Sequence, residues 1–150
     1  MNQEKDNLLV LKDTDSLPCL TEGVQDYTLV RYKIYRITFS IWTTWWKDKA
    51  RWIGYLDLTA GPGYSQTEKL KKIKKQVGAS PIIALETVPS FTNFIFIEKN
   101  PEYFAPLKKR VGTSKNCRVI NKDANSVIDS ALLEFKGIVL CASIHLDHQT

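Results

Sequence analysis

The sequence predicts an α/β fold of Rossmann-like type: a mostly parallel sheet flanked by helices, with a long N-terminal helix. Three observations carry that prediction. From Arg51 onward short apolar runs alternate with helix signals, the pattern of parallel strands joined by helical crossovers. The last of these runs, "GIVLCASI", is an apolar run of the kind that parallel sheets bury on both faces. The first of them ends in "DLTAGPG", an acid and a glycine turn at the strand end where open parallel sheets bind ligands.

Residues 1–26 mix Asp, Asn, Ser, Pro and Gly without a sustained period and read as an irregular lead-in that packs at points such as Leu17 and Leu20. Residues 27–150 read as one domain. From Tyr27 to about Asp48, apolar residues recur at three- and four-residue steps, so an amphipathic helix is expected. Leu29 or Val30, Ile34, Ile37, Ile41 and Trp45 form its expected core-facing stripe, broadened by Tyr35, Trp42 and Trp46. Then "WIGYLDL" reads as a strand, "SPIIALETV" a helix, "NFIFIE" a strand and "NPEYFAPLKKRV" a helix. "CRVINKD" follows as a strand, "NSVIDSALLEF" as a helix and "GIVLCASI" as a strand. Capping chemistry supports these boundaries. Asn100, Pro101 and Glu102 form a helix start, Ser80 and Pro81 repeat it, and Gly112 is a stop.

At 150 residues, with 43% hydrophobic and 25% charged, the chain has the material for a single packed core. The formal charge of +5 suits a polyanionic partner, but much of the excess sits in "KLKKIKKQ". Lys69, Lys71, Lys72, Lys74 and Lys75 read there as a solvated helix face, with nucleic-acid binding as the alternative; no aromatic stacking residue is interleaved with them. Cys19, Cys117 and Cys141 are odd in number and far apart, which suggests neither a disulfide framework nor a metal pair and points to the cytoplasm. The N-terminus is too polar for a signal peptide, and no apolar run is long enough for a membrane span. His145 and His148, with Asp147 between them, are too short a constellation to specify a metal site.

The glycine turn carries the chemistry. Gly61 and Gly63 let the backbone turn sharply and lie close to a ligand. Asp57, just before them, would oppose a pyrophosphate, which argues against a dinucleotide, and no Lys-Ser or Lys-Thr follows as a P-loop needs. Glu98 ends the next strand, where a carboxylate can accept both hydroxyls of a ribose; Asp123 ends the third, where an acid can accept from an exocyclic amine. A cofactor made of an amino acid, a ribose and an adenine, carrying a sulfonium and no phosphate, would use all three acids.

"YLDLTAGPG", "GASPIIAL", "FIFIEKNPEYFAPLKKRV" and "VINKDANSVI", in that order, resemble the three-Cys-motif partner proteins, a branch of the class I S-adenosylmethionine-dependent methyltransferase fold found in bacteria and phages. The resemblance spans roughly residues 27–140. The three cysteines of the family name belong to a genomic partner protein, not to this chain. The resemblance implies S-adenosylmethionine as cofactor, with Asp57, Thr59, Gly61 and Gly63 around its methionine part, Glu98 on the ribose, and Asp123 with Ala124 at the adenine. Thr59 stands where the general pattern has another glycine, and "SQTEKLKKIKKQVG" is an insertion before the helix at Ser80.

The departure lies after the fourth strand. The family resembles Asp-Pro-Tyr there, whereas this chain reads "CASIHLDHQT". The expectation is a cofactor-binding half truncated after about four strands. Residues 137–144 should pair beside the first strand and 145–150 turn outward. The open sheet edge would be covered by a protein partner, a second copy or the N-terminal helix, and the resemblance implies a three-Cys-motif protein as one partner. A non-catalytic binding or assembly module on the same scaffold is the alternative to a methyltransferase.

Overall fold

The computed structural model describes residues 8–114 and 116–142. Along the chain run β1 (Leu11–Asp13), α1 (Asp26–Trp46), β2 (Ile53–Asp57), β3 (Tyr64–Ser65), α2 (Glu68–Lys72) and β4 (Lys75–Gly78). They are followed by α3 (Ser80–Leu85), β5 (Asn93–Ile97), α4 (Pro101–Val111), β6 (Cys117–Ile120), α5 (Ala124–Glu134) and β7 (Ile138–Ala142). β2, β5, β6 and β7 form a parallel sheet in the order β6-β5-β2-β7, flanked by helices. This mixed α/β architecture is compatible with a Rossmann-like fold. Taken in chain order, the four strands stand 3-2-1-4, so the direction of winding reverses between β2 and β7. β7 lies parallel beside β2, as the sequence predicts for residues 137–144. Residues 143–150, and His145, Asp147 and His148 with them, lie outside the described residues.

Alternation along the strands divides the core in two. Tyr55, Phe94, Phe96 and Leu140 meet Phe39 of α1, Ile83 of α3, Phe91 and Leu107 of α4. Leu56, Ile95, Ile97 and Val139 meet Val127 and Ala131 of α5 on the other face. The first layer is aromatic: the Tyr55 ring lies 5.1 Å from Phe39 and 5.2 Å from Phe91, centroid to centroid. Asp57 and Glu98 continue the Tyr55 and Phe96 rows, and both are buried. Among the described residues no helix is long and apolar enough to cross a membrane.

Two sequence expectations are corrected in the N-terminal half. The lead-in is not irregular throughout: β1 pairs antiparallel with β4, Leu11 opposite Val77. The lysine-rich insertion is not one helix but β3, α2 and β4, and it completes a small sheet in the order β1-β4-β3. The Thr67 side chain accepts the Leu70 N–H at 3.2 Å and starts α2, which spans five residues. Lys74, at φ +55°, then turns the chain into β4, where Lys75 bonds Asp13 at 2.6 Å. Strands this short have no readable period, and the partner of β1 lies far along the chain, Leu11 opposite Val77.

The third correction concerns α1. Its inward face is Thr28, Tyr32, Phe39 and Thr43, with Tyr35, Trp42 and Trp46 partly buried beside them. The expected core stripe points outward, with Val30, Ile34, Ile37, Ile41 and Trp45 all exposed. Both faces are apolar at helical spacing, so periodicity alone does not choose between them. The choice follows from fit: Phe39 wedges between Tyr55 and Phe91, Tyr32 shares a 2.8 Å hydrogen bond with Ser65, and the Thr43 hydroxyl donates to the Phe39 carbonyl.

Arg110, in the last turn of α4, joins the two sheets. Its side chain is only 4% exposed. Its Nε and Nη2 donate to Asp15, Nη2 also to the Leu17 carbonyl, and Nη1 to the carbonyls of Pro18 and Pro62. Every N–H of the guanidinium is thereby used, and its plane lies 5.2 Å from the Tyr64 ring. Arg110→Ala strands these acceptors and should cost about 2 kcal/mol or more in urea unfolding. Arg110→Lys should recover little, because an ammonium cannot reproduce the planar fork. A loss under about 0.5 kcal/mol, the size of an ordinary surface change, would contradict this role.

Candidate functional site

The connection from β2 to α3 forms the floor of the site. Gly61 has φ +68° and Gly63 has φ +98°, conformations that side chains rarely adopt. A Cβ at Gly61 would meet nothing within 4 Å, so what requires glycine there is backbone conformation rather than crowding. The Ala79 N–H donates to the Gly63 carbonyl at 2.9 Å, which brings the ends of the insertion together and sets Ser80 beside the glycine turn.

Two buried carboxylates brace this turn from beneath. Asp57, 2% exposed, accepts the Thr59 N–H at 3.2 Å through Oδ1, and the Ser80 and Tyr55 hydroxyls at 2.6 and 2.9 Å through Oδ2. Glu98 accepts the Gly61 N–H at 2.6 Å through Oε2 and the Asn100 N–H at 2.9 Å through Oε1. The acids at the tips of β2 and β5 therefore hold Thr59 and Gly61 by their backbone amides. Burial pushes the Asp57 carboxyl up to about 6, against the pull of the Ser80, Tyr55 and Thr59 donors and with a small push from Glu98.

Above the turn lies an open cavity of about 640 Å³, within the range of small-molecule sites. Thr59, Ala60, Gly61, Pro62 and Ser80 form its floor, Leu20 and Glu22–Val24 one wall, and Tyr27, Thr28, Arg31 and Tyr32 of α1 the other. Arg31 stacks 5.8 Å over the Tyr27 ring. Sequence reasoning missed both walls, because Leu20–Val24 and the first turns of α1 carry no motif.

The remaining sequence candidates lie further out. Asp123 is the N-cap of α5: it accepts the Asn125 N–H at 2.8 Å and pairs with Lys99 at 3.3 Å. The Asn125 N–H, then Lys99, holds its carboxyl below the usual range. Ala124 begins α5 and packs with Leu58 and Ile120 in the second core cluster. Gly63 is turned towards Leu107 and Arg110. The five lysines do not share one helix: Lys69, Lys71 and Lys72 are on α2, Lys74 in the turn and Lys75 in β4 against Asp13. Cys19, Cys117 and Cys141 are free thiols. Among the described residues no cluster of His, Cys, Asp and Glu could hold a metal.

No protein-family model matches the chain, and no curated protein matches it.

Asp57 gives the site a pH signature. In the unfolded chain its pKa is near the ordinary 3.8, and in the fold it is about 6. Between these values the folded state holds a proton that the unfolded state releases, so stability falls as pH rises from about 4 to about 6. For a fully buried group that difference corresponds to roughly 3 kcal/mol. Asp57→Asn should flatten this part of the curve in denaturant titrations across that window. An unchanged slope would show that Asp57 is not the group responsible.

Proposed function

We propose that this chain binds S-adenosylmethionine over the glycine turn and is a methyltransferase-like protein of the three-Cys-motif partner type, with a Rossmann-like fold. The observation that supports this most is the cavity on Thr59–Pro62 and Ser80, at the carboxyl end of β2 and beside the reversal in strand order. The donor set fits a cationic, zwitterionic nucleoside. Gly61 presents no side chain to the ligand, and the Arg31 guanidinium suits the carboxylate of its amino-acid part. Glu98 lies under the turn rather than in the cavity wall, with one acceptor site on each oxygen taken by Gly61 and Asn100; its assignment to the ribose hydroxyls rests on the family resemblance. Asp123 and Ala124, beyond the tip of β6, are assigned to the adenine side.

The cofactor supplies a methyl group already activated by its sulfonium. The chain's part is to bind it, hold it in line with an acceptor and exclude water. Asp57 serves as a positioning residue, acting through Ser80 and the Thr59 amide. A protein partner pairing with the outer edge of β7 would extend the sheet, and the resemblance makes a three-Cys-motif protein a candidate for it.

Calorimetry on the purified chain tests the reading. Saturable binding of S-adenosylmethionine and of its demethylated product is expected. Gly61→Val should weaken it at least about tenfold by straining a left-handed position and filling the floor. Asp57→Ala should abolish it. No binding by a folded wild-type protein would sink the proposal. Binding without methyl transfer to DNA, RNA or protein pools would make the chain a non-catalytic binding module on the same scaffold.

A further inference from the structure

The outward face of α1 carries Tyr27, Val30, Ile34, Ile37, Ile41 and Trp45, each 47–64% exposed. From Tyr27 to Ile41 the steps are three, four, three and four residues, the seam spacing of a coiled coil; Thr44 continues it on α1, and Asp48 stands in the turn just after the helix. On the helix this seam lies opposite Tyr32, Phe39 and Trp46, which pack inward. A helix of 21 residues makes a seam about 31 Å long, a continuous apolar strip rather than scattered surface residues.

We propose that this face is a self-association surface on which α1 of a second copy packs antiparallel about a twofold axis. A twofold axis pairs a patch with itself, and this seam is self-complementary in one register. Setting Ile34 against Ile37 of the second copy also sets Ile41 against Val30 and Tyr27 against Thr44. The flanking positions then bring Asp26 opposite Lys47, Lys33 opposite Ser40 and Arg31 opposite Thr38. Opposite charges thus meet at both ends and like charges nowhere, while the antiparallel helix dipoles oppose each other favourably. The exposed 3.9 Å contact of Asp26 with Lys69 competes only weakly.

The surface is also shaped for this partner. A cavity of about 410 Å³ is lined by Ser40, Ile41, Thr44, Trp45, Asp48 and Lys49. Ile41, Thr44, Trp45 and Asp48 are the four positions that frame a hole in knobs-into-holes packing. The register delivers Tyr27 of the second copy as the knob.

Sedimentation equilibrium on the full chain tests the proposal, with circular dichroism as a check on folding. The wild type should be a concentration-dependent dimer, and Ile37→Glu and Ile41→Lys folded monomers. Leu133→Glu, at a still more exposed apolar site on α5, should remain dimeric. Asp26→Lys and Lys47→Asp should each weaken the dimer, by about 2- to 10-fold for two exposed ion pairs, and the double variant should restore it. A monomeric wild type, which would give the face to another occupant, overturns the proposal. So does a dimer that survives Ile37→Glu or is lost equally with Leu133→Glu, and a double charge variant without rescue overturns the antiparallel arrangement.

Discussion

A single buried cation ties the two sheets to the glycine turn. Arg110 leaves the last turn of α4 and is spent on Asp15, on the carbonyls of Leu17 and Pro18, and on Pro62 beside the turn. Just after Pro18, the Leu20 backbone pairs with Tyr64 and Gln66 at 2.9 Å each way. The cavity wall at Leu20–Val24 therefore inherits its position from the guanidinium. A buried charge is costly unless it is paired and fully hydrogen-bonded. The segment from Asp15 to Pro18 thus has one favourable place to lie, and β1, just before it, can pair with β4.

The turn itself is held by anions. Asp57 and Glu98 accept the Thr59 and Gly61 amides, so the floor of the cavity is fixed by hydrogen bonds within the chain. Preformed sites spend less ordering free energy on binding. The cost falls on Asp57, whose carboxylate is buried among Tyr55, Ser80 and Thr59 and resists ionisation.

The parallel sheet was legible because β2, β5 and β7 are apolar runs between helix signals; the start at Asn100 and the stop at Gly112 act as read, whereas Ser80 lies inside α3 after an Ala79 N-cap and gives its hydroxyl to Asp57. Asn100 accepts the Glu102 N–H, and Gly112 ends α4 with φ +79°. The strand-tip acids were legible by position, whereas their present partners, backbone amides of the turn, were not. Asp123 could be found but not assigned, because an acid after a strand serves equally as a cap. Arg110 was hidden, since a basic residue near a helix end looks like an ordinary partner of the helix dipole. The inward face of α1 was hidden for a different reason: two apolar stripes share one helix, and only the ring-filled surface presented by Tyr55 and Phe91 selects between them.

The clasp between Gly63 and Ala79 gives the insertion the character of a parenthesis. Its two ends lie side by side, Tyr64 opposite Gly78 in the ladder of β3 and β4 and the Ala79 N–H on the Gly63 carbonyl, so residues 64–78 leave and rejoin the strand-to-helix connection at one place. Through β4 that segment also captures the N-terminal strand. Because Leu70 and Val77 pack in the core while Tyr64 and Gln66 hold Leu20, recomposing it would move the entrance to the cavity and the grip on the N-terminus together. The entrance to the cavity and the placing of the N-terminal strand are thus governed by one and the same segment.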